Sequence, residues 1–154
     1  MTEKVIIDRL IATYLPNVSF WNNNFYFYDW ESDFWILSKT GYATEFEIKI
    51  TVSDFKADFK KKNRHSILPT GIYRQRKYSR PHRFYYVVPK GMIGVDQIPE
   101  YAGLMYFDGF GFTKIKSAPI LHKNMEIDYK YLAKKFFSKM LDFRYALKIN
   151  KLNL

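Results

Sequence analysis

The sequence predicts an α/β (α+β) fold, and three observations predict it. Apolar residues recur at helical spacing near both ends of the chain, and short aromatic and β-branched runs fill the middle. Clusters of Asn, Gly and Pro punctuate those runs. Hydrophobic residues make up 47% and aromatic residues 19% of the 154 positions, enough to bury a core in a single domain over residues 1–154. The expected core covers about residues 2–117, followed by an extra helix over about 126–150.

The first helix is read from Thr2 to Tyr14. Val5, Ile6, Leu10, Ile11 and Tyr14 share a stripe, Glu3, Lys4, Asp8 and Arg9 cover the other side, and Leu15-Pro16 ends it. Asn17 to Asn24 reads as a turn, and Phe25-Tyr26-Phe27-Tyr28 as the first strand. The second strand begins Asp33-Phe34-Trp35-Ile36-Leu37, and the turn Ser38-Lys39-Thr40-Gly41 leads to the third, Thr44 to Thr51. Thr51 or Ser53 caps the next helix, Asp54 suits its dipole, and Phe55 with Phe59 gives it a buried edge. That helix is expected to end around Lys62-Asn63. Arg64 to Pro81 then reads as an 18-residue basic loop with Pro69, Gly71 and Pro81, a length that marks functional loops. Arg83 to Pro89 is a central strand, and Gly91 to Pro99 a turn with a short helical piece. Gly103–Phe107 and Phe112–Lys116 form a hairpin around Asp108-Gly109. In the last helix, about Asp128 to Ile149, the stripe Leu132, Phe136, Met140, Phe143 and Leu147 is read as packing.

Charge narrows the function classes. The chain carries +10, and ten Lys or Arg between Lys56 and Arg83 stand against Asp58 alone. Such a segment either attracts polyanions, nucleic acid before membrane, or is a solvated loop kept soluble by its charge; Tyr73, Tyr78, Tyr85 and Tyr86, which could stack on bases, lean towards nucleic acid. Cysteine is absent, which excludes disulfides, thiolate zinc sites and cysteine nucleophiles. Three scattered histidines make no zinc site, and phosphate contact or no role is expected of His65 and His82. No run is long and apolar enough for a bilayer, and Met1-Thr2-Glu3-Lys4 does not open a signal peptide. The expected compartment is the cytoplasm, with no membrane partner.

The chemistry concentrates on Thr44 to Thr51. Strand alternation sends Phe46, Ile48 and Ile50 to one face and Glu45, Glu47 and Lys49 to the other. A hairpin through Ser38–Gly41 brings Asp33 near the strand end that carries Glu47. Converging acids beside a lysine outline a metal-and-water site.

Asp33 followed by Glu47-Ile48-Lys49 resembles the motif of the PD-(D/E)xK, or restriction-endonuclease-like, nuclease superfamily. Ser53-Asp54-Phe55, Ala57-Asp58 and Lys60, then Phe84 to Pro89 and Ala102-Gly103-Leu104, resemble its MmcB-like, DNA-repair-associated branch. The likeness covers roughly Trp30 to Ser117. Lys61 stands where the branch has a tryptophan, Ser32 replaces the proline of the superfamily name, and the segment from Lys62 to His82 is longer and more basic.

The resemblance implies a restriction-endonuclease-like core, a mixed central sheet of about four to six strands flanked by helices. It implies that Asp33 and Glu47 bind Mg²⁺ or Mn²⁺, with the Ile48 carbonyl as a further ligand, and that Lys49 orients a water or stabilises the transition state. It also implies an auxiliary acid on the first helix, for which Glu3 or alternatively Asp8 is the candidate, with Glu45 a possible helper and Asp54 and Asp58 expected to shape the helix. The substrate expected is DNA, gripped by Lys56, Lys60, Lys61, Lys62, Arg64, Arg74, Arg76, Lys77, Arg80 and Arg83. A repair, recombination or mobile-element role is consistent with this, and the oligomeric state, a homodimer included, is left open. The alternatives are a non-catalytic nucleic-acid-binding protein of the same fold, and a membrane-surface or protein-partner module using the basic segment.

Overall fold

The computed structural model describes residues 1–152, and side chains through residue 148. It divides into two compact units, residues 1–124 and the residues from 125 onward. In the first unit, α1 (Glu3–Tyr14) precedes β1 (Val18–Phe25), β2 (Ser32–Ser38) and β3 (Ala43–Ile48). Next come α2 (Val52–Asp58), α3 (Lys62–Thr70), a small hairpin of β4 (Ile72–Tyr73) and β5 (Arg76–Lys77), then β6 (Arg83–Pro89), β7 (Gly103–Phe107) and β8 (Phe112–Lys116). The second unit holds α4 (Tyr129–Leu152). The fold class is α+β, as expected.

One six-stranded mixed sheet runs in the order β1-β2-β3-β6-β7-β8. The β3–β6 and β6–β7 pairs are parallel, and the two flanks are antiparallel hairpins. Gly41, at φ 90°, supplies the left-handed turn between β2 and β3. One sheet face packs on α1, where Ile6, Ile7 and Leu10 meet Phe34, Ile36, Phe46, Ile48, Tyr85, Val87 and Met105. Against the opposite face, Phe55 of α2 packs edge-on to Tyr86 and Arg64 of α3 lies over Phe84, 5.7 Å from its centroid. With both faces covered, β3 is buried at all six positions. The polar side expected for it is therefore a polar interior, not a solvated surface.

Three elements differ from the sequence expectation. The first strand is Val18–Phe25, not Phe25–Tyr28. At an edge the ladder with β2 is made by backbone groups, so the half-exposed asparagines do not prevent it. Phe25 and Phe27 pack on Trp35, and Tyr28 accepts a 3.0 Å hydrogen bond from its indole. Next, the 18-residue basic loop is instead α3 followed by the β4–β5 hairpin. The helix accommodates Pro69 near its C-terminus and stops at Gly71, at φ 72°. Thr51 caps α2 by accepting from the Asp54 N–H at 3.0 Å, and that helix ends earlier, at Asp58. In the second unit, Asp128 accepts from the Tyr131 N–H at the start of α4. Of the apolar stripe, Leu132 is buried, but Met140, Phe143 and Leu147 are exposed. Helical spacing gives those residues a common face; it does not supply a partner to cover it.

Candidate functional site

The β2–β3 register brings Asp33 to the end of β3, where its Oδ2 accepts from the Ile48 N–H at 2.7 Å. Two residues apart on one strand, Glu47 and Lys49 share a side, and Lys49 Nζ donates to Glu47 Oε1 at 2.6 Å. Parallel pairing with β6 sets Tyr86 beside Glu47. The short turn between α2 and α3, closed by the Lys61 N–H on the Asp58 carbonyl at 3.0 Å, then brings Asp58 and Arg64 together over this face. Arg64 Nη1 donates to Glu47 Oε2 at 2.9 Å, and its Nη2 donates to Asp58 Oδ1. Lys49 Nζ stands 3.3 Å from the same Asp58 oxygen. Glu47, Arg64, Asp58 and Lys49 thus close a ring of alternating charge. The second Asp58 oxygen accepts from Tyr86 at 2.8 Å and meets His65 Nε2 at 3.0 Å, while His65 Nδ1 bonds the Tyr101 hydroxyl.

The ring is sheltered but open on one side. Glu47 and Arg64 are 1% exposed and Lys49 12%. A cleft of about 290 Å³ lies against it, lined by Glu3, Ile48, Lys49, Ile50, Asp54, Ala57, Asp58 and Lys61. Burial, reinforced by the charge of Glu47, pushes the Asp33 carboxyl up to about 7, against the opposing Ile48 N–H and Lys49. Burial favours loss of the Lys49 proton, but Glu47 and Asp58 more than offset it and hold the ammonium above its ordinary range. Burial also works against the charge on Asp58, yet His65, Arg64, Lys49 and Tyr86 together hold its carboxyl far below the usual range. Arg64 is likewise held above its ordinary range by Glu47, Glu45 and Asp58 despite burial.

Of the auxiliary acids, Glu3 lines the cleft, whereas Asp8 is exposed and paired with Lys4 at 2.7 Å. Glu45 departs from expectation. It is fully buried, both its oxygens accept from the Trp30 indole (2.9 and 3.0 Å), and burial raises its carboxyl to about 8. It sits one pleat deeper than Glu47, away from the cleft, and serves the interior. Asp58 also departs: it belongs to the ring besides ending α2.

The donor set fits a hard divalent cation. Asp33 and Glu47 are neighbouring carboxylates; burial first and the charge of Glu47 second raise Asp33, and a bound cation would offset both. A carboxylate has about four acceptor positions, so the bonds from Lys49 and Arg64 leave Glu47 capacity for a further ligand bond. The N–H and C=O of one strand residue face the same neighbour, so the Ile48 carbonyl opens on the Asp33 side. Among the described residues no three His, Asp or Glu side chains form a ready metal cage. Two carboxylates and a carbonyl completed by water and phosphate oxygens are the arrangement Mg²⁺ favours.

The basic residues divide into two groups. Lys56, Lys60, Lys61, Lys62, Arg74, Arg76 and Lys77 are exposed, with Lys61 at the cleft mouth, 3.4 Å from Asp58 and 3.6 Å from Glu47. Arg64, expected to grip DNA, is interior to the protein and committed to Glu47 and Asp58; its charge is consumed where no polyanion reaches. Arg80 is half-buried and donates to the Leu68 carbonyl at 2.6 Å, and Arg83 lies over the Tyr42 ring. Both work in the fold. His65 likewise meets no phosphate but braces Asp58, and His82 is buried against backbone groups. Asp58, Arg64, Tyr86 and Tyr101 meet here from three separate segments, and the sequence pointed to other roles for three of them: a DNA contact for Arg64, helix shaping for Asp58 and base stacking for Tyr86, which is buried. Six positions apart, Asp58 and Arg64 would not share a face of one continuous helix, so only the break at Phe59–Lys61 could have signalled their meeting.

No protein-family model matches the chain, and no curated protein matches it. Among solved structures the fold is similar to the SPO1766 protein of unknown function from Silicibacter pomeroyi. The likeness covers 85% of this chain and 80% of that one, at 20% identity and a TM-score of 0.55. Such a likeness shows the fold alone.

Proposed function

We propose that the chain is a metal-dependent nuclease that hydrolyses phosphodiester bonds in DNA. The observation that carries this reading is the convergence of Asp33, Glu47 and Lys49, with Asp33 bonded to the Ile48 N–H and Lys49 to Glu47, where Ile48 and Lys49 line an open cleft. Asp33, Glu47 and the Ile48 carbonyl would hold Mg²⁺ or Mn²⁺, which would supply a lowered water pKa and charge stabilisation at the phosphate. Lys49, fixed between Glu47 and Asp58, directs a permanent cation at the cleft and stabilises negative charge developing on the phosphoryl oxygens. Arg64 fixes Glu47 from behind, so the carboxylate need not reorganise when substrate enters. Lys61 at the mouth and the exposed Lys56, Lys60, Lys62, Arg74, Arg76 and Lys77 attract the DNA backbone. A repair or recombination setting belongs to this proposal.

The test is incubation with supercoiled and single-stranded DNA in Mg²⁺, Mn²⁺ or EDTA, beside the Lys49→Ala variant. Metal-dependent cutting lost in the variant supports the reading. Salt-sensitive binding without cutting in any metal would replace it with the binding-only alternative, which uses the same basic surface. Absence of both overturns the two together.

A further inference from the structure

The β4–β5 hairpin carries a feature that phosphate gripping does not require. Its two central residues, Arg74 and Gln75, both have positive φ, 47° and 64°. Positive φ at both central positions marks a type I′ turn, which Asn-Gly fills without strain. Residues that carry a Cβ, Arg and Gln among them, are disfavoured there because the Cβ crowds the following carbonyl oxygen. The chain holds two long side chains at this strained tip, and both are exposed. Backbone strain of this kind clusters at functional sites, which directs attention to what surrounds the tip.

The surroundings indicate what the tip meets. Arg76 and Lys77 of β5 are exposed, and no acidic residue occurs between Asp58 and Asp96. Arg74 extends over the Tyr73 ring, 5.2 Å from its centroid, so the guanidinium is partly organised. The base of the hairpin is fixed by the Tyr78 N–H on the Gly71 carbonyl at 2.9 Å and by Arg80 on the Leu68 carbonyl at 2.6 Å. A two-stranded ribbon fits the major groove of duplex DNA, where Arg pairs with guanine and Gln with adenine in bidentate fashion. Residues 74–77 offer no apolar side chain to enter a bilayer.

We infer that the β4–β5 hairpin is a finger that enters the groove of duplex DNA, with Arg74 and Gln75 facing base edges at its tip. This rests on the DNA-binding half of the reading above and not on cleavage. The exposed lysines of α2 and α3 sit in unstrained helical positions and supply phosphate contacts; the tip reads what they cannot.

The experiment relaxes the turn. In the R74N/Q75G double variant the backbone strain is removed together with both side chains; Lys60→Asn removes one charge elsewhere in the same segment. Affinity is measured by fluorescence anisotropy in EDTA, on a labelled duplex of about 20 base pairs and on a single strand of the same length. The double variant should melt no lower than wild type. It should lose about tenfold or more in duplex affinity, while single-strand affinity falls no more than about threefold. Lys60→Asn, which removes one phosphate-attracting charge, should weaken duplex and single-strand binding alike, each by about threefold. Equal losses on duplex and single strand, or a double variant no weaker than Lys60→Asn, overturn the inference, as does a wild type that fails to bind the duplex. A variant that melts lower than wild type overturns the strain argument. Because no metal is present, the outcome is independent of cutting, and failure of either reading is seen separately.

Discussion

Replacing Arg64 by leucine removes the cation shared by Glu47 and Asp58 while keeping an apolar stem in place. Arg64 is 1% exposed, as is Glu47, and Asp58 is fully buried, so solvent cannot take over the lost bonds. Removing one partner of a buried ion pair costs about 3–5 kcal/mol, much of it from the charges left behind. Against a typical domain stability of about 5–15 kcal/mol this is a large fraction. With a urea slope of about 2 kcal/mol per molar, the unfolding midpoint should fall by roughly 2 M. Lys61→Met is the control. Lys61 also faces Glu47 and Asp58, but it is 53% exposed and 3.4–3.6 Å away, so its loss should cost less than about 1 kcal/mol. The effect also has a pH signature. Asp58 is held below its ordinary range, so its contribution is present above the unfolded carboxylate pKa near 4 and lost as pH falls below it. The gap between wild type and Arg64→Leu should therefore narrow from pH 5 to pH 3. A cost below about 1 kcal/mol at pH 7, or a gap that does not change with pH, would refute the ring as the organiser of this site.

Three further outcomes follow from buried groups elsewhere. Glu45 is raised to about 8 by burial, so its contribution to stability is full below pH 4.5 and lost as pH rises through 8; Glu45→Gln should flatten that limb and be more stable than wild type at pH 9 by a few kcal/mol, at most about 1.4 for each unit between the folded and unfolded pKa. His82 accepts from the Ala43 N–H at Nδ1 (2.9 Å), donates from Nε2 to the Asn124 carbonyl (2.7 Å) and stacks on His122. Burial lowers its pKa, so stability should fall as pH drops below about 6.5, and His82→Gln should remove that acid limb in thermal scans. A Cβ at Gly103 would run into the Tyr85 ring and approach the Ala118 backbone nitrogen to 2.7 Å; Gly103→Ala should destabilise by about 1–3 kcal/mol, and an unchanged melting temperature would contradict the close packing of β7 on β6.

The parts of the fold that were legible in the sequence are those whose signal is local. α1 shows its stripe and β6 its apolar run, and Ser38–Gly41 shows its turn; each lies where the pattern puts it. Convergence of Asp33 on Glu47 was legible too, because a hairpin of known turn length fixes which strand positions meet. What escaped depends on tertiary context. A strand of asparagines forms at the β1 edge because its partner supplies the ladder, and α3 forms through a proline and a run of charges because Ile67 and Leu68 bury against the rest of the unit. Charge was the most misleading signal. Arg64 counts in the sequence as one of ten basic residues in a polyanion-seeking segment, yet in the fold it is the interior counter-ion of two acids. Composition cannot separate those roles, since burial of an ionised side chain is decided by whether an opposite charge is brought to it. For Arg64 that happens through one short turn, Phe59 to Lys61. The same turn makes Asp58 a member of the site and leaves Lys61 at the cleft mouth. The Glu47-Ile48-Lys49 strand therefore supplies the proposed chemistry, while the α2–α3 junction fixes the geometry in which that chemistry would operate.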